Sequence, residues 1–351
     1  MKILYAVQAT GNGHIARAIE LLPFLEKYGT VDVFLSGNNS HLHPELPIKY
    51  RSKGLSLFYG NRGSLDYSKI WQELHFRALW KEARQLPVEQ YDLVINDFES
   101  ITALACRLKG KSSIGFGHQA SFMSELTPRP EKKDGLGEWV LHHYAAASNY
   151  VGVHFDNYDS FIFSPILKKE ILQANPVDKG HVTVYLSHYS DAVVTNALLQ
   201  CPDIQFHLFS KQVTAVSTNQ NITILPINNT RFNESMMSAK GVITGAGFET
   251  PAEALYLGKK LMCLPIIGQY EQLCNAAALE KFRVPIIHKL DEQDFRFTIY
   301  KWLSGLSPKP LKLTNSTVEI VATVIEKGTA KNHSVEKNNA LHLHPSQLSM
   351  A

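Results

Sequence analysis

Residues 241–258 read GVITGAGFETPAEALYLG, and residues 261–276 read LMCLPIIGQYEQLCNA. Each stretch begins with a short apolar run and continues into a longer amphipathic one, which predicts two strands, each followed by a helix. Thr250, Pro251 and Glu253 predict a capping box at the first helix start. Because glycines precede this helix, its free N–H groups and its dipole are accessible to an anion, and the pattern favours a diphosphate site.

The same alternation extends along most of the chain and is typical of parallel sheets wound by helices. Strands are predicted at residues 3–7, 31–35, 55–59, 93–96, 113–116 and 150–155, and then at 182–186, 205–209, 222–225, 242–244 and 261–264. The polar, proline-containing segment 156–178 suits an interdomain connection. We therefore predict an α/β protein with two doubly wound Rossmann-like domains, residues 1–165 and 178–327. A disordered tail is predicted at 328–351, where large apolar residues are few.

Bulk composition excludes several classes of protein. The chain has 351 residues, 44% hydrophobic and 19% charged, which is a globular composition, and its net charge of +3 gives no indication of a nucleic-acid partner. No apolar run approaches the length of a membrane span or of a signal sequence. We expect a cytoplasmic protein that is at most peripheral to the inner face of a membrane. Cys106, Cys201, Cys263 and Cys274 have no close spacing and are expected to be buried free thiols.

A second glycine-rich turn follows the first predicted strand. Gly11, Gly13 and Ala16 match the Gly-x-Gly-x-x-Ala pattern of dinucleotide-binding domains, so a dehydrogenase is one interpretation. That interpretation needs an acidic residue at the end of the second strand to hold the ribose. The second strand ends instead in Ser36 and Gly37, with Asp32 near its start, and this disfavours a dehydrogenase.

His14 and Asp97 are the candidate catalytic pair. His14 opens a helix, and Asp97 ends a strand of the same domain, so both are expected at the carboxyl edge of one sheet. An imidazole there could remove a proton from a hydroxyl at neutral pH, with the carboxylate orienting the ring. The structural alternatives are a surface histidine and a helix cap, although Ser100 could cap the helix that follows Asp97.

Residues 241–258 and 261–276 together resemble the nucleotide-sugar-binding signature of UDP-glycosyltransferases and MurG-like transferases. The order of Gly247, Thr250, Glu253 and Pro265, followed by Glu271 and Gln272, fits that signature, with Asn275 and Ala276 close behind. Gly13, His14 and Arg17 resemble the first loop of the same families. The resemblance extends over most of residues 1–325 and implies a GT-B fold, in which two Rossmann-like domains face a central cleft.

The resemblance also implies roles for individual residues. The donor diphosphate would contact Gly245, Gly247, Phe248 and Thr250, Glu253 would bind the ribose, and Glu271 and Gln272 would bind the sugar. Three features depart from the family pattern. Gly245 stands where plant-type enzymes have a phosphate-binding histidine, and Glu249 stands where they have asparagine, so this carboxylate must turn away from the diphosphate or meet a cation. The tryptophan that carries the uracil in plant-type enzymes has no obvious counterpart before Pro226.

The expected reaction is a single displacement that inverts the anomeric carbon, with a UDP-sugar as donor and His14 as base. The acceptor would be a glycan, a lipid or a small molecule, and the transferred group a hexosyl or N-acetylhexosaminyl unit. No cofactor and no metal are expected, since the sequence contains no Asp-x-Asp motif. The alternatives are a GT-B nucleotide-sugar epimerase or hydrolase and a non-catalytic nucleotide-sugar sensor.

The acceptor side is expected in the first domain. Gly13, Arg17, His118 and Gln119 are candidates to line it. A helix predicted over 68–86 carries basic and aromatic residues that could touch a membrane: Lys69, Trp71, Phe76, Arg77, Trp80, Lys81 and Arg84. The alternative is an ordinary amphipathic helix that buries Trp71, Leu74 and Ala78.

Overall fold

The computed structural model describes residues 1–9, 12–37, 46–54, 76–290 and 292–330, and these residues form two parallel-sheet α/β units. The first sheet has the strand order β3-β2-β1-β4-β5-β6-β7. Its strands are β1 (Lys2–Gln8), β2 (Thr30–Ser36), β3 (Ile48–Ser52), β4 (Leu93–Asp97), β5 (Ile114–Gly117), β6 (Asn149–Val153) and β7 (Ile162–Phe163). The helices of this unit are α1 (Asn12–Leu25), α2 (Phe76–Gln85), α3 (Ser100–Lys109) and α4 (Gly135–His143), with 3-10 turns at Glu26–Tyr28, Val88–Gln90 and Gln119–Met123.

A connection that contains the short helix α5 (Lys169–Leu172) leads to the second unit, whose sheet has the order β10-β11-β9-β8-β12-β13. Its strands are β8 (Val182–Tyr185), β9 (Phe206–Ser210), β10 (Ser217–Asn219), β11 (Ile222–Pro226), β12 (Gly241–Gly245) and β13 (Lys260–Leu264). Among the described strands of this sheet, β10 alone runs antiparallel to its neighbour. The helices that follow β8 are α6 (Asp191–Leu199), α7 (Asn229–Ser238), α8 (Glu249–Tyr256), α9 (Tyr270–Glu280), α10 (Glu292–Ser304) and α11 (Thr317–Ala330).

The continuous apolar run of β1 is explained by burial on both faces of the sheet. Tyr5 and its alternate neighbours pack towards α1 and α11, whereas Leu4 and Ala6 pack towards the helices on the opposite face.

The two parallel sheets confirm the prediction of a two-domain α/β fold. The predicted strand at 55–59 lies outside the described residues. The described third strand, β3, escaped sequence analysis because its polar and apolar residues are mixed.

The last helix does not remain with the second unit. Its apolar face packs on α1 and on β4, β5 and β6 of the first sheet. Gly328 allows this approach, because a Cβ there would collide with the side chain of Leu93. The sequence analysis assigned residues up to 327 to the second domain. The helix that contains residue 327 packs instead on the first sheet. The tail predicted from residue 328 begins inside α11, and residues 331–351 lie outside the described part.

The surface helix α2 bears on the predicted membrane contact. Trp80 is 44% exposed, and the guanidinium of Arg84 lies 5.6 Å from its ring centroid. Ala78, predicted to be buried, is exposed, and Ala83 is buried instead. Lys69, Trp71 and Leu74 lie outside the described residues. None of the helices in the described ranges is long and apolar enough to cross a membrane. The membrane contact stays a prediction.

Burial of the four thiols agrees with the sequence analysis. All four cysteines are buried and free. Burial is the largest cause that raises the pKa of Cys263 and of Cys106, so these thiols stay protonated at neutral pH.

Candidate active site

His14 and Asp97 meet at the carboxyl edge of the first sheet. β1 and β4 are adjacent parallel strands in which Val7 pairs with Asp97, and α1 follows directly after β1. His14 Nδ1 lies 2.8 Å from Asp97 Oδ1. An ionised carboxylate only accepts hydrogen bonds, so the bond to Asp97 requires the ring proton on Nδ1 and leaves Nε2 as the acceptor nitrogen, 3.4 Å from Gln119 Nε2.

Arg17 lies one helical turn after His14 and neutralises Asp97. Its Nη2 is 2.8 Å from Asp97 Oδ1, and its Nε is 3.1 Å from Oδ2. Asp97 is fully buried. Burial opposes ionisation, but the charge of Arg17 and the hydrogen bond with His14 outweigh it and hold the pKa of Asp97 at about 2. Asp97 is therefore an anion at neutral pH.

The backbone around this pair is tightly packed. Phe98, directly after Asp97, has a φ of 55°, a left-handed conformation that costs free energy in a residue with a Cβ. Gly117, at the end of β5, has a φ of 115°, and a Cβ there would lie 2.8 Å from Asp97 Oδ1. A glycine at 117 therefore leaves room for Asp97 and Arg17 to approach each other.

The helix start predicted to bind a diphosphate lies at the carboxyl edge of the second sheet. β12 ends at Gly245 and α8 begins at Glu249, so the capping-box prediction is wrong: Thr250 lies within the helix, and Phe248 is the N-cap residue, with no side-chain cap bond. The first helical bond runs from Ala252 N to Phe248 O at 3.1 Å, so the preceding N–H groups have no intrahelical acceptor. A Cβ added at Gly247 would meet nothing within 4 Å, which leaves that backbone open to a ligand.

Glu249 spans the cleft between the two units. Its carboxylate forms an ion pair with Arg17 Nη1, so this carboxylate meets a cation, one of the two outcomes expected from the sequence. Gly13 allows the contact, because a Cβ there would lie 3.0 Å from Glu249 Cγ. Burial is the largest influence on Glu249 and raises its pKa to about 7, although Arg17 opposes the shift. Arg17, predicted on the acceptor side, is 3% exposed and bridges two carboxylates.

Glu253, the predicted ribose ligand, is paired with a lysine from the interdomain connection. Lys168 Nζ lies 3.1 Å from Glu253 Oε1, and Glu253 is 2% exposed. Because α8 begins at Glu249, Glu253 lies more than one turn inside the helix, away from the capping position predicted for it. Asn233 Oδ1, 3.2 Å from the same Nζ, completes the contacts of Lys168.

Of the two predicted sugar-binding residues at the start of α9, Glu271 is hydrogen-bonded to the first unit, whereas Gln272 is hydrogen-bonded within the second. Gln119 Nε2 donates to Glu271 Oε2 at 3.1 Å and lies 3.4 Å from His14 Nε2. Gln272 Oε1 accepts from the backbone N–H of Ile266 at 3.0 Å, which holds this side chain against its own loop. Gln119 thus occupies the space between His14 and the second unit.

His118 is buried between the two units. Its Nε2 lies 2.7 Å from Asn275 Oδ1, and its ring stacks on Phe248 with centroids 4.0 Å apart. Burial is the main cause that lowers the pKa of His118 to about 3, so the ring is neutral. With 1% exposure, His118 connects the units and does not line an open acceptor cleft.

A pocket opens beside the start of α8, and several of its residues were not found from the sequence. Gly13, Glu249 and Thr250 line one side, and Asn228 and Asn229 line another. The lining residues missed by sequence analysis are Lys168, Tyr185, Phe209, Ile227, Asn228, Asn229 and Phe232. Tyr185 ends β8 and Phe209 lies near the end of β9, so the rule that ligands bind at the carboxyl edge could have indicated both.

Comparison with known families identifies this arrangement. One family model, described as glycosyl transferase family 1, matches residues 1–304. The chain belongs to this family. No curated protein matches the sequence significantly. The resemblance to glycosyltransferases that the sequence analysis described is thus confirmed.

Solved structures similar to this glycosyltransferase share its fold. Arabidopsis thaliana UGT89C1 with UDP-L-rhamnose has 14% identity and a TM-score of 0.57 over 97% of this chain and 99% of that chain. Acinetobacter baumannii MurG has 14% identity and a TM-score of 0.51 over 96% and 99%. A Listeria monocytogenes protein assigned as a UDP-N-acetylglucosamine 2-epimerase has 11% identity and a TM-score of 0.56 over 96% and 97%. The GT-B fold prediction is confirmed.

The dehydrogenase interpretation has no support at the second strand. Asp32 Oδ2 accepts hydrogen bonds from Lys49 Nζ at 2.6 Å and from the Tyr91 hydroxyl at 2.7 Å. Asp32 is the third residue of β2 and lies away from the carboxyl edge, where a ribose-binding carboxylate would be needed.

Proposed function

We propose that this glycosyltransferase moves a sugar from a UDP-sugar to an acceptor hydroxyl, with inversion and without a metal ion or resident cofactor. The observation that carries the proposal is the position of the His14–Asp97 pair across the cleft from the glycine-rich start of α8. A base and a diphosphate-binding helix start on opposite sides of one cleft are the two groups that a direct displacement requires.

In the proposed reaction the acceptor oxygen attacks the anomeric carbon while His14 Nε2 takes the hydroxyl proton. The bond from the anomeric carbon to the phosphate oxygen breaks, and its electron pair leaves with the nucleoside diphosphate. The N–H groups of Gly247, Phe248 and Thr250 would stabilise that charge. Asp97 would hold the imidazole and stabilise the imidazolium, because it is ionised and within hydrogen-bond distance of Nδ1.

Two contacts must open for substrates to enter. Gln119 has to leave His14 Nε2 so that an acceptor hydroxyl can reach it, and the Glu249 side chain has to leave Arg17, which it meets across the cleft. In the proposed complex Glu253 binds the ribose beside Lys168, and Glu271 and Gln272 bind the sugar. The acceptor class stays open among glycans, lipids and small molecules.

Nucleotide binding tests the proposal directly. We expect UDP to raise the melting temperature more than dTDP, GDP or NAD, because a ligand that binds only the folded state adds about 2.7 kcal/mol at roughly 100 times its Kd. The matched control is Gly247→Val, whose side chain enters open space and should block the diphosphate with little effect on the unliganded protein. Stabilisation by NAD alone, or an equal UDP response in Gly247→Val, would contradict the donor site.

Chelation tests the metal-independent step. We expect nucleoside diphosphate release with a good acceptor to be unchanged in EDTA, since the helix start would stabilise the leaving group. Loss of release in EDTA that Mn²⁺ restores would contradict this expectation, and Glu249 would then be the first ligand to examine.

An epimerase or a hydrolase is the second candidate, because one structural neighbour is assigned as a 2-epimerase. Incubation of the donor without an acceptor separates the three reactions. A transferase should release little nucleotide until an acceptor is added, a hydrolase should release it at once, and an epimerase should change the sugar in the absence of an acceptor. A non-catalytic sensor would bind UDP and give none of these products.

A further inference from the structure

His188 is a buried histidine without a hydrogen-bond partner. It lies in the loop between β8 and α6 at the carboxyl edge of the second sheet and is 5% exposed. Neither Nδ1 nor Nε2 has a hydrogen-bond partner among the described residues. Buried polar groups in folded proteins are nearly always paired, because an unpaired buried group loses the hydrogen bonds that it would make with water.

The surroundings of His188 locate it at the proposed donor site. Its Cε1 lies 3.8 Å from the point that a Cβ of Gly245 would occupy, and Gln272 Oε1 lies 3.5 Å from that same point. The ring is therefore adjacent both to the loop that leads into α8 and to the start of α9. These are the segments proposed to bind the diphosphate and the sugar. The imidazole is thus at van der Waals distance from the end of β12, directly before the loop that leads into α8.

We propose that His188 binds the donor at the junction of its diphosphate and its sugar, donating to a phosphate oxygen through one ring nitrogen and accepting from a sugar hydroxyl through the other. This inference rests on the proposed function, whose donor site it completes. The chemistry of the ring matches that junction, because a neutral imidazole has one donor and one acceptor. Phosphate oxygens only accept, and sugar hydroxyls can donate.

Burial supports the neutral form. Desolvation lowers the pKa of His188 to about 4, so at neutral pH the ring carries one proton and can make both contacts. His188 reaches the end of β12 from the loop that follows the adjacent strand, β8.

The decisive experiment compares His188→Phe with the wild-type protein for binding of UDP, inorganic pyrophosphate and uridine. We expect the substitution to weaken UDP and pyrophosphate binding by about 10- to 100-fold, the worth of a hydrogen bond to a charged group. Uridine binding should be unchanged. The melting temperature without ligand should stay the same or rise, because an apolar ring replaces an unpaired polar one.

The matched control is His207→Phe, a histidine whose Nδ1 lies 3.0 Å from Ser235 Oγ near the start of β9. This variant should lose stability and keep its UDP affinity, the reverse of the result expected at 188. If His188→Phe fails to fold, His188→Leu repeats the comparison with a smaller side chain. Wild-type UDP affinity in a folded apolar variant at 188 overturns the inference alone. A wild-type protein that binds neither UDP nor pyrophosphate overturns the proposed function as well.

Discussion

We expect His14→Ala to lower the rate of sugar transfer by about 10²- to 10⁴-fold, the usual contribution of a positioned general base. UDP affinity should be almost unchanged, since the segments proposed to bind the diphosphate lie on the other unit. The variant should also fold, because Arg17 stays hydrogen-bonded to Asp97 and keeps that buried carboxylate paired. Turnover, UDP affinity and melting temperature are measured on one preparation.

His14→Gln and His143→Ala are the controls. Glutamine can still donate to Asp97 but cannot act as a base, so its turnover should be as low as that of the alanine variant. His143 is an exposed histidine on α4, and its loss should have no effect on turnover. A purely structural His14 would instead lose about 1 kcal/mol of stability and keep its turnover. Turnover close to wild type in His14→Ala would leave the base unassigned.

Asp97→Asn is a less selective test than the sequence alone indicated. Asp97 orients His14, but it is also the principal counter-ion of the buried Arg17. The amide would misorient the ring and leave Arg17 with only Glu249. We therefore expect a loss of stability to accompany the loss of turnover in this variant, so His14 gives the clearer assignment.

Features that depend on neighbouring residues in the sequence were predicted from local patterns. The apolar run of β1, the turn that follows it and the position of Asp97 at the end of β4 were all predicted, because strand ends at one edge of a parallel sheet bring side chains together. The helix after Asp97 was predicted too, although Glu99, not Ser100, accepts the N–H groups of Ile101 and Thr102. The longer side chain of Glu99 reaches these N–H groups from one residue earlier in the chain.

Contacts between distant segments could not be predicted in this way. No periodicity shows that Lys168 would pair with Glu253, that Asn275 would lie 2.7 Å from His118, or that α11 would return to the first sheet. Each contact depends on how the two units pack, and the sequence offers only a charge or a small residue as a sign of it. His188 was missed because nothing in its local sequence indicates that it would be buried unpaired.

The ion pairs of Arg17 give the second large effect. We expect Arg17→Met to lower the free energy of unfolding by about 3–5 kcal/mol at pH 8, because removing one partner leaves a buried charge uncompensated. Arg17 is bonded to Asp97 and to Glu249, so the variant leaves two carboxylates without their cation. The exposed Arg107 provides the matched control, and Arg107→Met should change stability by less than about 0.5 kcal/mol.

The dependence of this loss on pH distinguishes a charge effect from a packing effect. In the wild-type protein the pKa of Asp97 is about 2, below its ordinary value of 3.8, so its contribution to stability is present above pH 3.8 and is lost as the pH falls towards 2. Without Arg17, burial should raise the pKa of Asp97 above its ordinary value and should raise that of Glu249 further above about 7. A carboxyl group whose pKa is raised in the folded state adds most to the free energy of unfolding below its unfolded pKa. That contribution is lost as the pH rises through the folded pKa. The destabilisation by Arg17→Met should therefore grow from pH 4 to pH 8, measured by urea unfolding across that range, and an equal loss at both ends would show that Arg17 acts through packing alone.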